Sequence, residues 1–388
     1  MEVVRLNRTS RLLAGHLWVF SNEIEGSPGG FEPGSLVELR DRKDAFMGIG
    51  YINPHSLIAV RLLTRLREEI SSDFFKKRIL DARGYRGNFL QDTNSFRVVY
   101  SEGDLLPGLI VDVYDDCLSV QILTMGIEVR SQTIIEVLDD VFSPSVVVLR
   151  NDSPARLLEG LKQEKRVVKG ALDKLPIMQE SSLFFEIDPL GGQKTGFFLD
   201  QRENRETFSR IVRGGGRGLD LFCYSGAWSL QMAEKGNEVT GVDDSEGAIA
   251  QARRNAERNG LAGRCVFQKA DVFSFLREEM NKGTAYDFIV LDPPAFVKSR
   301  TKVKEALRAY REINARSMRL LRKGGFLATS SCSYHIAKGS FLEMLGSAAR
   351  DAGRQVRLVE MRSQARDHPI LLSMPETEYL KCAILEVA

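Results

Sequence analysis

The second half of the chain predicts an α/β fold in which seven strands form a doubly wound sheet. Strand and helix patterns alternate strictly after Gly191, glycines end several of the helices, and acidic residues stand where successive strands end. Such alternation is typical of parallel sheets with helices on both faces. The first half is richer in short strands. It predicts a small β-barrel domain followed by a central α+β domain.

The predicted domain boundaries lie near residues 68 and 188. Residues 1–68 are assigned to the barrel, residues 69–188 to the α+β domain, and residues 189–388 to the doubly wound domain. A chain of 388 residues is long enough for three separate cores. No helix pattern separates the last two strands, so we expect them to form an antiparallel hairpin at the edge of the sheet.

Composition excludes several classes of protein. The formal net charge of +2 provides no overall field that would steer the chain to nucleic acid, so any basic surface must be local. No apolar run approaches the roughly twenty residues that span a bilayer, and residues 1–11 lack a signal-peptide core. The five cysteines show neither paired spacing nor a metal-ligand rhythm with the four histidines. These features predict a cytoplasmic protein with no membrane contact and no metal.

The first domain contains a candidate RNA-binding surface. Residues 11–20 combine Arg11 with Trp18 and Phe20, and arginine and aromatic faces can contact the backbone and bases of RNA. The alternative is that Trp18 and Phe20 belong to the core. For either aromatic taken alone, the core is the better interpretation.

The doubly wound domain begins with a strand, a tight turn and a helix. Residues 218–222 are mostly apolar, Gly226 ends the turn, and a helix pattern follows. The next strand ends in Asp243, and an acidic residue at this spacing binds ribose hydroxyls in dinucleotide-binding folds. Because the turn lacks the full glycine pattern for a diphosphate, a ligand with an adenosine but no phosphates fits better.

Four aspartates stand at or just after the ends of successive strands, namely Asp220, Asp243, Asp271 and Asp292. The carboxyl ends of parallel strands meet at one edge of a sheet, so these side chains are expected to line one crevice. A single aspartate there means little, because aspartate also caps helices and forms turns. Four in register are harder to explain by capping, and they predict a ligand site.

The loop after the fourth strand reads Asp292-Pro293-Pro294-Ala295-Phe296. Two consecutive prolines stiffen the loop, and the residue before a proline is held extended. Such a loop can present a carboxylate, carbonyl groups and an aromatic face to a planar group that bears an amine. The alternative is a simple strand stop, for which one proline would suffice.

Cys332 follows the fifth strand and is flanked by Ser331 and Ser333. A cysteine is more often a small buried apolar residue than a nucleophile. Its position facing the Asp292 loop favours a nucleophile here. Cys223 lies in the first turn and is predicted to pack, as are the three cysteines that fall in strand patterns.

Cations crowd the loop and helix after the Asp292 motif. They are Lys298, Arg300, Lys302, Lys304, Arg308, Arg311, Arg316, Arg319, Arg322 and Lys323. One interpretation is a track for RNA phosphates beside the site. The other is a solvated helix face, and it is favoured for the distal half of the helix.

From about Gly191 the chain resembles the class I S-adenosylmethionine (SAM)-dependent methyltransferases, because the glycine turn, Asp243, Asp271 and the Asp292 motif follow that superfamily's order. More narrowly, it resembles a bacterial 23S ribosomal RNA cytosine-5 methyltransferase family with an N-terminal PUA domain. The matching segments are residues 194–205, Ser331-Cys332-Ser333, Asp367-His368-Pro369, residues 375–381 and the barrel domain.

The resemblance implies a Rossmann-like methyltransferase domain, SAM as cofactor, and 23S ribosomal RNA or a large-subunit particle as partner. A homodimer is one option for the oligomeric state, which the sequence does not determine. Cys332 would be the nucleophile, and Asp292 would stabilise the ring under attack. The residues expected to bind the cofactor are Phe198, Asp200, Gln201, Arg202, Asp220, Phe222, Tyr224, Gly226, Asp243, Asp271 and Asp292. Those expected to contact the substrate are Pro293, Pro294, Phe296 and Lys298.

Two other functions stay open at this point. One is a methyltransferase that modifies N7 or N2 of guanine on the same scaffold, which would need no thiol. The other is an RNA-binding assembly factor without catalytic activity. A small-molecule methyltransferase is disfavoured, because the barrel domain would then have no purpose. A cytosine-5 methyltransferase needs a base that removes the proton from C5 of the cytosine after methylation, and the sequence does not identify this base. Nor does it identify a cation that would activate Cys332.

Overall fold

The computed structural model describes residues 1–296 and 302–388. The chain folds into two compact units. Unit 1 comprises Met1–Ser181, Ile187–Leu199 and Arg366–Thr377. Unit 2 comprises Ser182–Glu186, Asp200–Ala365 and Glu378–Ala388. The expected division into three domains is finer than this one and stays a prediction.

The described residues of unit 1 contain two mixed sheets of five strands each. The strands are β1 (Glu2–Arg5), β2 (Trp18–Val19), β3 (Leu36–Arg40), β4 (Phe46–Ile52), β5 (Val60–Thr64), β6 (Ser95–Tyr100), β7 (Leu109–Tyr114), β8 (Cys117–Ile122), β9 (Val146–Asn151) and β10 (Glu164–Lys169), with β11 (Ile177–Glu180) after them. The helices are α1 (Ser10–Leu13), α2 (Ser72–Gly87), α3 (Met125–Glu128) and α4 (Ser131–Phe142).

The first sheet has the order β1-β3-β4-β5-β2 and the second β10-β9-β8-β7-β6. Tyr51 on β4 packs into the core of the second sheet, and its hydroxyl donates to Pro107 O at 2.7 Å. Trp18 and Phe20 are each half-buried. The Trp18 indole N–H donates to Glu102 Oε1 at 2.8 Å, so that edge of the ring already has a partner within unit 1.

The described residues of unit 2 form one seven-stranded sheet with helices around it. The strands of the unit are β12 (Leu183–Glu186), β13 (Arg217–Leu221), β14 (Glu238–Asp243), β15 (Cys265–Lys269), β16 (Tyr286–Leu291), β17 (Leu321–Ser331), β18 (Val356–Arg362) and β19 (Lys381–Val387), of which β12 lies outside the sheet. The helices are α5 (Arg202–Ile211), α6 (Ala227–Ala233), α7 (Glu246–Arg258), α8 (Val272–Lys282), α9 (Val303–Leu320) and α10 (Lys338–Ala352).

The strand order of this sheet is β15-β14-β13-β16-β17-β19-β18. Neighbours from β15 to β17 are parallel, whereas β19 runs antiparallel to both β17 and β18. The predicted doubly wound sheet with an antiparallel edge is therefore confirmed. The order reverses beside β13, and in such sheets the crevice at the reversal is where ligands bind.

Apolar strands between layers of helices explain why this sheet is buried. Leu219 and Leu221 on β13 and Ile289 on β16 are fully buried, and they share one core with Tyr310 of α9 and Phe341 of α10. Local signals end the helices as the sequence predicts. Glycines in the left-handed region follow α8 and α10, a conformation that glycine adopts without a steric cost.

None of the helices that the structure describes is long and apolar enough to cross a membrane.

We predict that Gly218→Ala destabilises the protein by about 2–3 kcal/mol, because overpacking of a filled core has costs of this order. A Cβ at Gly218 would lie 2.0 Å from Cζ of Phe288, whose ring is fully buried. Urea unfolding measures the change. Gly263→Ala is the control, because a Cβ there would meet nothing within 4 Å. Equal free energies of unfolding for the two variants would contradict the close packing of Gly218 on β13 against the Phe288 ring on β16.

Candidate active site

Four aspartates lie along one edge of the unit 2 sheet, as predicted. Asp220 pairs in register with Gly241 of β14 and Val290 of β16. Asp243 ends β14, Asp292 directly follows β16, and Asp271 comes two residues after β15. Since these strands are parallel neighbours, the carboxyl ends of β15, β14, β13 and β16 stand side by side.

The turn between β13 and α6 has an unusual backbone. Phe222, Tyr224 and Gly226 have φ angles of 63°, 46° and 82°. Residues other than glycine adopt this left-handed region at a cost of about 1–3 kcal/mol, and such strain is concentrated at functional sites. A Cβ at Gly226 would lie 2.9 Å from the Phe267 ring. The turn is therefore held in one shape by close packing.

Asp220 is buried beneath this turn. Its Oδ2 accepts hydrogen bonds from the Ser229 backbone N–H at 3.0 Å and hydroxyl at 2.7 Å, while its Oδ1 has no hydrogen-bond partner among the described residues. Burial, with the charges of Asp292 and Asp243, raises the pKa of Asp220 to about 7. A buried carboxylate oxygen without a partner suits a ligand that brings a hydrogen-bond donor or a positive charge.

Asp243 and Asp271 differ in their surroundings. Asp243 is half-buried, and it accepts from the backbone N–H groups of Tyr224 and Ser245, each at 3.0 Å. Burial raises the pKa of this carboxyl. Asp271 is exposed and accepts from Ser274 N–H at 2.9 Å as the N-cap of α8. One oxygen of Asp271 thus caps a helix, whereas Asp243 joins the first turn to the second.

Asp292 is held by the side chain of Gln201, which directly precedes α5, and by that of Trp228 on α6. Gln201 Nε2 donates to its Oδ1 at 2.9 Å, and Trp228 Nε1 donates to its Oδ2 at 3.2 Å. Gln201 Nε2 also lies 3.0 Å from Ser330 Oγ. One amide group therefore links the carboxylate after β16 to the end of β17.

The orientation of Gln201 is itself determined by neighbours. Asn204 Nδ2 donates to Gln201 Oε1 at 2.6 Å, and Arg362 Nε donates to Asn204 Oδ1 at 2.9 Å. This arrangement directs the NH2 group of Gln201 toward Asp292. Sequence reasoning predicted Gln201 only as a cofactor contact and missed Asn204 and Trp228, because nothing along the chain indicates that they reach the fourth strand.

Other predicted cofactor residues lie in the segment before β13. Asp200 is buried, and its Oδ2 accepts from the Tyr379 hydroxyl at 2.6 Å. Arg202 is buried at the start of α5. Phe198 belongs to unit 1, where Lys194 Nζ lies 4.5 Å from its ring centroid. Of these three predicted cofactor residues, Asp200 and Arg202 therefore belong to unit 2, and Phe198 belongs to unit 1.

The proline loop is partly embedded in the core. Pro293 is buried, Pro294 is exposed, and Phe296 is half-buried. The Phe296 ring centroid lies 4.7 Å from that of Tyr310 and 6.4 Å from that of Phe222. The aromatic residue of the motif therefore packs against rings of the core. Lys298, also predicted to contact the substrate, lies outside the described residues.

Cys332 differs from the other cysteines of the chain. It is half-buried immediately after β17, whereas Cys117, Cys223, Cys265 and Cys382 are buried. Burial raises the pKa of the Cys265 and Cys382 thiols to about 12, which makes them poor nucleophiles. By exposure, Cys332 is the best candidate nucleophile of the five.

Two further residues near Cys332 were missed by sequence reasoning. The Tyr310 hydroxyl lies 3.2 Å from both Ser331 Oγ and Ser333 Oγ. Lys381 Nζ donates to Ser333 O at 2.7 Å. Tyr310 reads in the sequence as one apolar position of an amphipathic helix, and Lys381 lies 49 positions after Cys332, so only strand pairing reveals either.

The cations on α9 and at the start of β17 divide into two groups. Arg311 forms a bidentate pair with Asp351, Arg316 pairs with Glu312, and Arg322 Nη1 lies 2.8 Å from Asp287 Oδ1. These pairs and the exposure of Arg311 and Arg319 are in keeping with a solvated face for the distal half of the helix, which stays a prediction. Lys304 and Arg308, nearer the site, are exposed.

Two family models match the chain: a PUA-like domain at residues 3–65 and a methyltransferase domain at residues 213–371. Among solved structures, one described as a SAM-dependent methyltransferase from Streptococcus mutans shares the fold with a TM-score of 0.84, at 19% identity over 100% of both chains. A methyltransferase complexed with SAH has a TM-score of 0.85, at 19% identity over 100% of this chain and 99% of the other. The fold and the domain model thus define a Rossmann-like methyltransferase preceded by a PUA-like domain.

Relatives that are similar in sequence over nearly the full length identify the family within this class of methyltransferases. Ribosomal RNA large subunit methyltransferase I of Shewanella denitrificans is 38% identical over 379 residues, which cover 96% of this chain and 95% of that protein. The protein of the same name from Aeromonas hydrophila is 37% identical over 381 residues, covering 96% of each chain. The chain belongs to the ribosomal RNA large subunit methyltransferase I family.

We predict that Asp220 makes the folded state less stable as the pH rises from about 4 to about 7. Its pKa is about 7 when folded and about 3.9 in an unfolded chain. In this window the unfolded chain releases a proton that the folded protein keeps. The free energy of unfolding should therefore fall by about 4 kcal/mol more in the wild type than in Asp220→Asn.

Urea unfolding of both proteins between pH 4 and pH 8 measures this difference. Ser229→Ala is a matched variant, because it removes a hydroxyl that donates to Asp220 and should move the upper end of the window to higher pH. Parallel curves for the wild type and Asp220→Asn would contradict the burial of an unpaired carboxyl.

Proposed function

We propose that this protein uses SAM to form 5-methylcytidine in 23S ribosomal RNA through a covalent adduct of Cys332 with C6 of the target cytosine. The observation that carries the proposal is a half-buried thiol and a carboxylate on adjacent strand ends. Cys332 follows β17, Asp292 follows β16, and Gln201 bridges Asp292 to Ser330. The names of the full-length relatives support ribosomal RNA as the substrate.

The residues at the first turn fit this cofactor. Asp220 has a buried oxygen without a partner among the described residues, which suits a positively charged ligand, and Asp243 at the end of β14 would accept from ribose hydroxyls. When bound, SAM supplies a methyl group on a positively charged sulfur. The residues that we propose as its contacts in unit 2 are Asp220, Phe222, Tyr224, Gly226, Asp243 and Asp271. The contacts expected from Phe198, Asp200, Gln201 and Arg202 stay predictions.

Cys332 and Asp292 have complementary roles in this chemistry. C5 of cytosine is a weak nucleophile. Addition of the Cys332 thiolate to C6 breaks the C5–C6 double bond and raises the electron density at C5. Asp292, near N3 and the exocyclic amine, would stabilise the protonated ring as the adduct forms. After methylation, loss of the C5 proton restores the double bond, and the S–C6 bond breaks to regenerate the thiolate.

The substrate must reach this site as an unpaired or flipped nucleotide, because C6 lies inside the stack of a duplex. The PUA-like domain and the exposed Lys302, Lys304 and Arg308 are proposed to hold the surrounding RNA. Large-subunit RNA of bacteria is found in the cytoplasm, where we place the protein. The homodimer stays a prediction.

The proposed product is tested by incubating the protein with labelled SAM and unmodified ribosomal RNA, followed by nucleoside analysis. We expect 5-methylcytidine. A labelled 7-methylguanosine or N2-methylguanosine would instead show a guanine methyltransferase. Calorimetry separates the third function, because a protein that binds no SAM at millimolar concentration can only be a non-catalytic factor.

Cys332→Ala is expected to lower the rate of methyl transfer on the order of a thousandfold or more, since a nucleophile of covalent catalysis is removed. SAM binding by calorimetry should be unchanged. Cys117→Ala, which removes a buried thiol in unit 1, is the control and should keep full activity. Retained transfer in Cys332→Ala would exclude the covalent mechanism and leave a methyltransferase with another target.

A further inference from the structure

Lys381 is a buried cation on the strand that pairs with β17. The antiparallel register of β17 and β19 sets Lys381 opposite Ser331, one residue before Cys332. The lysine is 6% exposed. Burial of an ammonium group is costly unless it meets hydrogen-bond acceptors and negative charge.

The ammonium group is held against the loop that carries Cys332. Nζ donates to Ser333 O at 2.7 Å and to Tyr379 O at 2.8 Å. These two acceptors account for two of its three protons. Because Ser333 directly follows Cys332, this geometry fixes the positive charge at the backbone next to Cys332 rather than in solvent.

The charges of Lys381 and Cys332 act on each other. Burial lowers the pKa of Lys381 to about 8, and the negative charges of Cys332 and Glu378 act in the opposite direction. Interaction between two charges is reciprocal, so an ammonium that is stabilised by a thiolate stabilises that thiolate equally.

Tyr310 of α9 faces the same loop. Its hydroxyl contacts Ser331 and Ser333, and burial raises its pKa, as does the charge of Cys332. The phenol therefore stays neutral. Asp292 is connected to this region through Gln201 and Ser330. The ionisable groups described in this region thus include the neutral Tyr310 phenol, the carboxyl groups of Asp292 and Glu378, and the Lys381 ammonium. Of these, the ammonium is the group whose charge favours a thiolate.

We propose that Lys381 is a positioning residue that holds Cys332 as a thiolate. The inference rests on the proposed role of Cys332 as nucleophile and supplies the activating cation that sequence reasoning could not identify. In this step the Sγ–H bond of Cys332 breaks, its electron pair stays on sulfur, and the proton passes to solvent water, while the Lys381 ammonium keeps its own protons. The resulting ion pair is ready before RNA arrives.

The rate at which iodoacetamide alkylates Cys332 in the full-length protein tests this proposal. Mass spectrometry follows the modification from pH 6 to pH 10 without RNA or SAM. The wild-type profile should have its midpoint below the value of about 8.5 for a free cysteine. In Lys381→Met, which keeps the length but not the charge, we expect the midpoint to rise by about one pH unit. Alkylation at pH 7 should slow about tenfold.

Lys381→Arg keeps the positive charge and should retain most of the wild-type rate. Lys235→Met, which changes an exposed lysine at the end of α6, is the control. In methyl transfer, Lys381→Met should lower kcat with little change in KM. Identical alkylation profiles for Lys381→Met and wild type would overturn the inference.

The same measurement remains decisive if Lys381→Met fails to fold. A wild-type midpoint at or above about 8.5 would then overturn the inference, and a midpoint well below it that Lys381→Arg preserves would support it. Because no RNA or methyl transfer enters the alkylation assay, its result is independent of whether the product is 5-methylcytidine. Failure of the proposed function appears separately, in the nucleoside analysis and in Cys332→Ala.

Discussion

The pairing of β17 with its two neighbours is the constraint on which the rest of the site depends. On one side, the parallel register with β16 brings Asp292 level with the end of β17, where Gln201 connects it to Ser330. On the other side, the antiparallel register with β19 sets Lys381 opposite Ser331. A slip of one residue in either pairing would turn these side chains to the opposite face of the sheet.

The electrostatic environment differs between the two halves of this sheet edge. Around β13 and β14, the carboxyls of Asp220 and Asp243 have raised pKa values, because burial disfavours their charge, and for Asp220 the charges of Asp292 and Asp243 add to this effect. A positively charged ligand would stabilise the ionised form of these carboxyls. At the end of β17, the buried Lys381 ammonium donates to the Ser333 carbonyl, and its charge interacts with that of Cys332. These two settings are the basis on which a cationic methyl donor is proposed for the first region and a nucleophile for the second.

The sequence predicted the doubly wound sheet and its antiparallel edge, because apolar runs, glycines and helix caps are local signals. It also predicted Asp220, Asp243 and Asp292 at strand ends and the distinct position of Cys332. It was less informative about roles. Asp271 caps a helix, Phe296 packs among core rings, and Gln201 supports Asp292. Residue type and spacing do not show which partner a side chain finds.

By itself, then, the sequence determined the order of strands and helices, the family, and the residue types at the carboxyl ends of the strands. These properties depend on neighbours along the chain. Only the tertiary structure decided that Trp228 and Gln201 hold Asp292, that Tyr310 contacts both serines around Cys332, and that Lys381 reaches the same loop. The physical reason is that buried polar groups must find partners across the sheet. Strand register, which the sequence of one chain does not display, selects those partners.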